Sequence, residues 1–513
     1  MIPFKKFLTV SGMTAISRIL GVIRENILSR YLGASIEMDA SLMAMKFPKF
    51  FRKCFTEEGF NSVFVPYLTG MEATKKNKLL LFFSSRVFSI ITYIMFLLSI
   101  AVIIFAKYFV LLMAPGFINE PEKLALTVTF TRIMFPGVFF LSLSAVYSCV
   151  LIANQKFGWY TVSPIIINVV LISSIITAIC LGKVAFGLAV GLFLATFVQF
   201  LYLYTVLKLK HLTVPRLSRI KITPTVKHFF KKLVPVIVSA SVAQVNVFVD
   251  SFFSSYLATG CVTYLYFADR LNQLPLSLFG ISMSIILLPE ISKRLALNDN
   301  NELPTLYKDS ILFALRLTIP VIVIMVILAY YFIDFVYGYG KFTQTDVKNT
   351  ALVLQFFALG LPAYVLAKVI AAIIFAKKQV KAPVIASLAS IGSNLVLNSL
   401  LISKFQFAGI AAATTISGYI QMFILAKYLN TDQKLFEKIF IIKLLKIIIS
   451  GIVAYFGTYL CSSLWQFSYA LSNIIVYSVV ATILYVMTLW LLKDEPICLI
   501  TKFLKTKLWN FSD

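Results

Sequence analysis

The chain has 513 residues, of which 60% are hydrophobic and only 13% are charged. A soluble protein of this length cannot bury so many apolar side chains, so the composition excludes that class and predicts a chain that mostly faces lipid. The 47 Lys and Arg residues outnumber the 21 Asp and Glu residues, which gives a formal net charge of +26. In a membrane protein this excess favours anionic lipid headgroups or an anionic substrate as partners, and not nucleic acid.

Apolar runs bounded by charged residues, Pro or Gly predict about fourteen helices, and therefore an all-α polytopic membrane protein. In chain order the predicted spans are 8–31, 37–68, 79–112, 124–153, 160–181, 184–207, 233–257, 262–290, 310–335, 349–375, 382–402, 407–428, 439–462 and 473–492. The second of them is too long and too polar for a simple lipid-facing rod.

The distribution of cations predicts the orientation, because cytoplasmic loops of membrane proteins are enriched in Lys and Arg. With the N-terminus inside, 30 of the 47 cations fall on the inner side and seven on the outer side. Both termini are therefore expected in the cytoplasm, with an even number of spans. Ten cations remain at membrane depth, where charge is costly. They are Arg18, Arg24, Lys46, Lys49, Arg52, Lys53, Arg132, Arg270, Arg316 and Lys368.

The chain also contains an internal repeat. The segment IANQKFGWYTVSPIIINVVLI parallels the later FAKKQVKAPVIASLASIGSNLVLNSLLI, with alanine, a basic turn, and then proline and asparagine in the next helix. Matching residues follow each copy: Gly187 precedes Gln199 by 12 residues, and Gly409 precedes Gln421 by 12.

From this repeat we expect two pseudo-symmetric six-helix lobes, an N-lobe at 1–220 and a C-lobe at 221–432. Two further spans are appended in 433–513. Both lobes start inside and contain an even number of spans, so the repeat is parallel. Two similar lobes that share a cleft at the midplane are typical of a transporter.

Two arginines in the first predicted helix give the strongest functional signal. Arg18 and Arg24, in SRILGVIREN, lie about 9 Å apart along a helix axis and about 120° around it, so they do not form one stripe. One interpretation is that they pair with Glu25 or Asp39 and bind nothing. The other is that the surrounding cations exceed the local acids, so an anion completes the site. Guanidinium groups bind phosphate oxygens in bidentate fashion, which favours a phosphate or pyrophosphate group.

In the second half, YFADRLNQLP places Asp269 next to Arg270. Adjacent residues on a helix do not face each other, so Asp269 is not expected simply to cancel the charge of Arg270.

A possible cation site is also present in the second half of the chain. Asp250 is a lone carboxylate in the seventh span, Asn394 and Asn398 share one helical face, and Thr414 follows in the next span. These oxygens suit Na⁺, or Asp250 could carry a proton. The alternative is a buried aspartate that hydroxyl and amide groups satisfy.

With these residues the chain resembles the MurJ (MviN) family of lipid II flippases, within the multidrug/oligosaccharidyl-lipid/polysaccharide exporter superfamily. The matching text is SGMTAISRILGVIRENILSRYLGAS, MDASLMAMKFPKFFRKCFTEEGFNSVFVPYL, APGF, YFADRLNQLPLSLFGISMSIILLPEIS and YGYGKFT. The resemblance implies export of lipid II, the undecaprenyl-pyrophosphate-linked peptidoglycan precursor, from the inner to the outer leaflet of the bacterial cytoplasmic membrane by alternating access.

The resemblance also implies a transporter and not an enzyme, with no resident cofactor. The drive is expected from the membrane potential, from Na⁺ or H⁺ as a coupling ion, or from consumption of the product outside. The implied partners are lipid II, membrane lipids and the cell-wall synthesis machinery.

The resemblance assigns roles to individual residues. It implies that Arg18, Arg24, Arg52 and Arg270 bind the pyrophosphate in a central cavity. The acids expected at the cavity or its gates are Asp39, Glu25 and Asp269. The last two spans, roughly 439–492, match the pair that forms a groove for the isoprenoid tail.

Two departures from the family pattern concern residues of the expected sites. Glu25 stands where Asp is common, and Asn398 stands where a carboxylate would make a stronger cation site. Two other functions stay open: a flippase for another polyprenyl-pyrophosphate-linked glycan, and a multidrug or organic-ion antiporter of the same fold. The cavity of an organic-cation antiporter should be acidic, whereas this one is predicted to be basic.

Overall fold

A computed structural model describes residues 4–53, 59–73, 77–297, 303–377, 379, 381–433 and 437–494. In this part of the chain the secondary structure is helical and no β-strand occurs, which confirms the predicted all-α class. Nine helices of the described residues are long and apolar enough to cross a membrane. The expected count of about fourteen spans is consistent with this architecture.

The chain packs as two compact units, of which the first comprises Met1–Thr263 and Tyr339–Thr343. Its helices are α1 (Phe4–Leu32), α2 (Ile36–Arg52), α3 (Gly59–Ala73), α4 (Asn77–Ile104), α5 (Ala106–Met113), α6 (Pro121–Met134), α7 (Pro136–Ala153), α8 (Phe157–Cys180), α9 (Val184–Leu209) and α10 (Pro224–Ser254). The second predicted span, 37–68, includes most of α2 and the first part of α3, and its residues 54–58 lie outside the described part of the chain.

Aromatic side chains dominate one core of the first unit. Phe229 of α10 packs edge-on against Phe60, Phe64 and Tyr67 of α3 and against Phe83 of α4. Helix α10, the first span of the predicted second lobe, therefore packs with the first unit. The predicted lobes describe a sequence repeat and not a packing boundary, so they stay a prediction.

The second unit comprises Tyr264–Gly338 and Gln344–Asp513. Its helices are α11 (Cys261–Pro275, from Tyr264 onward), α12 (Ser282–Ala296), α13 (Leu303–Ile327), α14 (Ala329–Tyr337), α15 (Gln344–Ala376), α16 (Lys381–Gln433), α17 (Lys438–Leu464) and α18 (Ala470–Leu491). A π-helical segment, Leu276–Ile281, follows Pro275 and joins α11 to α12. The proline lacks an N–H and so cannot complete the regular ladder.

A tight turn inside α16 separates two predicted spans. Gln406 has φ 47° and lies between the spans predicted at 382–402 and 407–428. Gly409 lies just after this turn, and a Cβ atom there would come within 2.7 Å of the Leu401 carbonyl oxygen. The glycine of the repeat therefore allows the two arms of α16 to approach closely. Gly187, its counterpart in the first unit, similarly allows α9 to approach Ala178 of α8.

A buried ion pair connects the end of the described chain to α13. Nε and Nη2 of Arg316 donate to the two carboxylate oxygens of Asp494 at 2.8 and 2.9 Å. Asp494 is 1% exposed, so the bidentate pair forms largely away from water. It anchors the residues after α18 to α13 and accounts for one of the ten predicted intramembrane cations.

Candidate functional site

Arg24 lies in α1, and two partners in the first unit fix its guanidinium group. Nη1 donates to Oδ1 of Asn168 on α8 at 2.9 Å, and Nη2 donates to Oε1 of Glu25 at 3.0 Å. Only 12% of the Arg24 side chain is exposed. Its Nε atom is buried and has no hydrogen-bond partner among the described residues. Arg24 therefore retains an N–H donor that can form a hydrogen bond to the oxygen of an anion.

Glu25 is buried beside Arg24. The contact is possible although the residues are adjacent, because the long Arg24 side chain reaches round the helix. Pairing with Glu25 is the arrangement expected if the arginine were structural, but a single carboxylate leaves other donors of the guanidinium group available.

Arg18 and Arg52, the other two arginines of the first half that are expected to bind the pyrophosphate, also belong to the first unit. Arg18 is exposed on α1, whereas Arg52 is half-buried at the last residue of α2. The different exposures of Arg18 and Arg24 agree with their predicted positions on different faces of α1. Nearby on α2, Nζ of Lys46 donates to Oγ of Ser251 on α10 at 2.6 Å.

Asp39 lies in the first turn of α2 and is fully buried. Nζ of Lys123 in α6 lies 3.2 Å from its Oδ2 atom. The backbone N–H groups of Gly260 and Thr263 donate to its carboxylate at 2.8 and 3.0 Å, and the Thr263 hydroxyl donates at 2.6 Å. Asp39 therefore holds α2 to α6 and to the turn that follows α10. Its expected role as a cavity or gate acid stays a prediction.

Asp269 and Arg270 lie on α11 in the second unit, and both are half-buried. The guanidinium carbon of Arg270 lies 5.0 Å from the ring centroid of Tyr266, one helical turn earlier, in a cation–π contact. Asp269 accepts a hydrogen bond at 2.5 Å from Nε2 of Gln273, one turn later. The adjacent side chains thus have contacts in opposite directions along the helix.

The residues of the possible cation site are divided between the units. Asp250 is half-buried on α10 in the first unit. In the second unit Asn394 and Asn398 are fully buried, and Nδ2 of Asn398 donates to Oδ1 of Asn394 at 3.0 Å. The Thr414 hydroxyl donates to the Ile410 carbonyl at 2.9 Å. The two amides therefore satisfy each other in part, and the Na⁺ or H⁺ assignment stays a prediction.

Two residues of these networks, Lys123 and Asn168, were not predicted from the sequence. Lys123 follows Pro121 in a polar stretch and is one of the seven cations that the sequence assigns to the outer side, yet it is 1% exposed. Asn168 was noted only as a mark of the repeat. A signal for it does exist, because an asparagine in an apolar helix needs a polar partner.

Comparison with known proteins identifies the family. Residues 28–480 match the family model described as "Lipid II flippase MurJ". A protein of Rickettsia prowazekii (strain Madrid E), named "Probable lipid II flippase MurJ", is 33% identical over 476 residues, which cover 90% of this chain and 92% of the relative. "Lipid II flippase MurJ" of Burkholderia cenocepacia is 31% identical over 392 residues, which cover 74% of this chain and 75% of the relative.

Solved structures agree with the sequence comparison. A structure of "Lipid II flippase MurJ, inward closed conformation" has a TM-score of 0.79 at 28% identity and covers 93% of this chain and 97% of its own. An inward-facing multidrug transporter of the MATE family has a TM-score of 0.66 at 15% identity and covers 82% of this chain and 94% of its own, which shows a shared fold alone. The chain is therefore a multi-pass membrane protein that belongs to the MurJ family of lipid II flippases.

Proposed function

We propose that this protein flips lipid II from the inner to the outer leaflet of the bacterial cytoplasmic membrane by alternating access. The observation that carries the proposal is the match to the MurJ family over residues 28–480. The protein acts as a transporter and performs no covalent step on its substrate. Its product then becomes available to the cell-wall synthesis machinery on the outer side.

Within this function, Arg18, Arg24, Arg52 and Arg270 recognise the pyrophosphate of the substrate. Arginine suits this role because its planar fork presents paired N–H donors and stays charged at any physiological pH. The buried, unpartnered Nε of Arg24 supports the assignment. Binding the headgroup spares its sugars and peptide from exposure to hydrocarbon, which is the main barrier to flipping.

The orientation of the chain, with both termini in the cytoplasm, is part of the proposal. The segment 208–232, which includes the connection between α9 and α10, carries a dense group of exposed cations. Backbone N–H groups of Arg216 and Ser218 donate to the hydroxyls of Ser85 and Ser89 on α4 at 3.2 and 2.8 Å. These hydrogen bonds hold the segment against α4, and its exposed cations can face an anionic inner leaflet.

Cysteine labelling tests this orientation. In a background with all native cysteines replaced by serine, Lys183→Cys should react with a membrane-impermeant maleimide in spheroplasts. Arg219→Cys should react only after the membrane is permeabilised, since both positions are exposed and the proposed orientation puts them on opposite sides of the membrane. The reverse labelling pattern would contradict the assignment.

An apolar cavity of about 240 Å³ in the second unit supports the predicted tail groove. It is lined by side chains of α13, α15 and α17, among them Val323, Leu359, Ile448, Ile452 and Phe456. Helix α17 is the first of the two spans assigned to the isoprenoid tail. Transfer of a polyprenyl chain from water to an apolar site is favourable by about 0.8 kcal/mol per CH₂ group, but the tail already lies in lipid, which is equally apolar. The cavity therefore positions the tail and adds little to its binding free energy.

Filling the cavity should slow transport. Ile452→Trp places an indole in the space proposed for the tail, and we expect a severalfold lower rate of lipid II flipping. Val453→Trp is the matched control, because this neighbouring residue is also exposed on α17 but does not line the cavity. Equal rates for both variants would argue against the groove.

Complementation tests the proposed function as a whole. Bacteria depleted of their own lipid II flippase should regain growth and normal shape when they express this chain. Membrane fractions must show that this chain accumulates in the membrane. Failure of the accumulated chain to restore growth would count against the proposal.

A further inference from the structure

We infer that Asn168 is a positioning residue that holds Arg24 ready for the pyrophosphate without reducing its charge. The inference rests on the proposed function, since it concerns the same anion. Neither the family pattern nor the repeat assigns a role of this kind to Asn168.

The hydrogen bonds of Asn168 fix it on both sides. Its Oδ1 accepts from Nη1 of Arg24, while its Nδ2 donates to the carbonyl of Ser17 at 3.0 Å and to that of Pro164 at 3.1 Å. Because a guanidinium group only donates, the amide must present its oxygen to Arg24. The side chain is 8% exposed, so water does not compete for these bonds. Asn168 therefore joins α8 to α1 at the level of Arg24.

The uncharged amide explains why an asparagine suits this position. Glu25 already places one carboxylate on Nη2 of Arg24. An aspartate at 168 would place a second carboxylate on Nη1, and the local charge would become negative. An amide oxygen accepts the same hydrogen bond and leaves the charge balance unchanged, so an anion can still bind.

Preorganisation is the expected benefit. A free arginine side chain samples many rotamers and loses this freedom when it binds, which weakens affinity. Asn168 and Glu25 fix Nη1 and Nη2 before the substrate arrives and leave Nε–H as the buried donor without a partner among the described residues. The effect of Asn168 on anion binding should therefore depend on the presence of Arg24.

A double-mutant cycle tests this claim with farnesyl pyrophosphate as the probe, titrated calorimetrically into the purified full-length protein in detergent. Asn168→Ala should weaken binding about tenfold in the parental background and have no further effect in the Arg24→Ala background. Asn168→Asp should weaken binding more than Asn168→Ala despite its matching shape. Ser174→Ala is the control on the same helix, since the Ser174 hydroxyl donates to the Gly187 carbonyl at 2.8 Å and not to a group of the Arg24 network, and this variant should bind like the parent.

The outcomes separate the inference from the proposed function. Equal loss of affinity from Asn168→Ala in both backgrounds would show a merely structural role, and parental affinity of Asn168→Ala would also overturn the inference. Each variant should unfold in a single cooperative thermal transition in the same detergent, which checks that it is folded. If the cycle holds but the parent moves no lipid II, the positioning role stands and the proposed function fails.

Discussion

Replacing Arg24 with alanine is expected to reduce lipid II flipping at least roughly thirtyfold, because removal of one partner from a desolvated charge contact costs about 2–5 kcal/mol. The change removes a mostly buried fork together with its hydrogen bonds to Glu25 and to the amide of Asn168. Arg24→Lys should keep partial activity, since lysine keeps the charge but lacks the fork. The rate is measured with the purified protein in vesicles that contain lipid II.

Arg132→Ala provides the matched control for this experiment. Arg132 was also predicted at membrane depth in the first unit, but it is exposed and its Nε donates to the Ile103 carbonyl at 3.2 Å. Its loss should leave the rate of flipping near the parental value. A parental rate for Arg24→Ala, with Arg132→Ala unchanged, would remove Arg24 from the substrate site.

The second large effect is expected at the buried pair of Asp39 and Lys123. Asp39→Ala should lower the free energy of unfolding by about 3–5 kcal/mol, because a buried ammonium group then loses its nearest carboxylate. Oε2 of Glu120 lies farther from Nζ of Lys123, at 3.6 Å. Lys123→Met should cost less, since the three donors from Gly260 and Thr263 still satisfy the carboxylate of Asp39.

Thermal unfolding of the detergent-solubilised variants measures this asymmetry. Lys107→Met is the control, since Lys107 is an exposed cation on α5 in the same unit. It should unfold at the parental temperature. The double variant Asp39→Leu/Lys123→Met should regain part of the loss, because apolar groups can replace a buried pair. If Asp39→Ala is as stable as the parent, the pair contributes nothing to the fold.

Local patterns in the sequence predicted most of the helices and the family. The lengths of the apolar runs predicted the spans, and polarity indicated that the second span is not a simple lipid-facing rod. The start of α10 was placed too late: the prediction began at residue 233, whereas the helix begins at Pro224. The first helical turns after Pro224 are polar, so hydrophobicity did not reveal them. Proline is favoured at the first position of a helix and could have indicated this start.

Long-range contacts explain what the sequence did not reveal. Asp39 and Lys123 are 84 positions apart, and Asn168 is 144 positions from Arg24. No periodicity connects residues so distant, so the surplus of cations could be counted but the partners could not be assigned. Arg316 shows the same limit, because its partner Asp494 lies after the last helix.

Whether the chain flips lipid II is measured by the fraction of lipid II in each leaflet. Vesicles containing the purified chain and lipid II are treated with a membrane-impermeant enzyme that cleaves the headgroup. Within a fixed interval nearly all lipid II should become cleavable with this chain. In the same interval Arg24→Ala should expose little beyond the outer-leaflet half that is cleaved without protein. Retention of an uncleaved half with the intact, correctly inserted chain would contradict the claim.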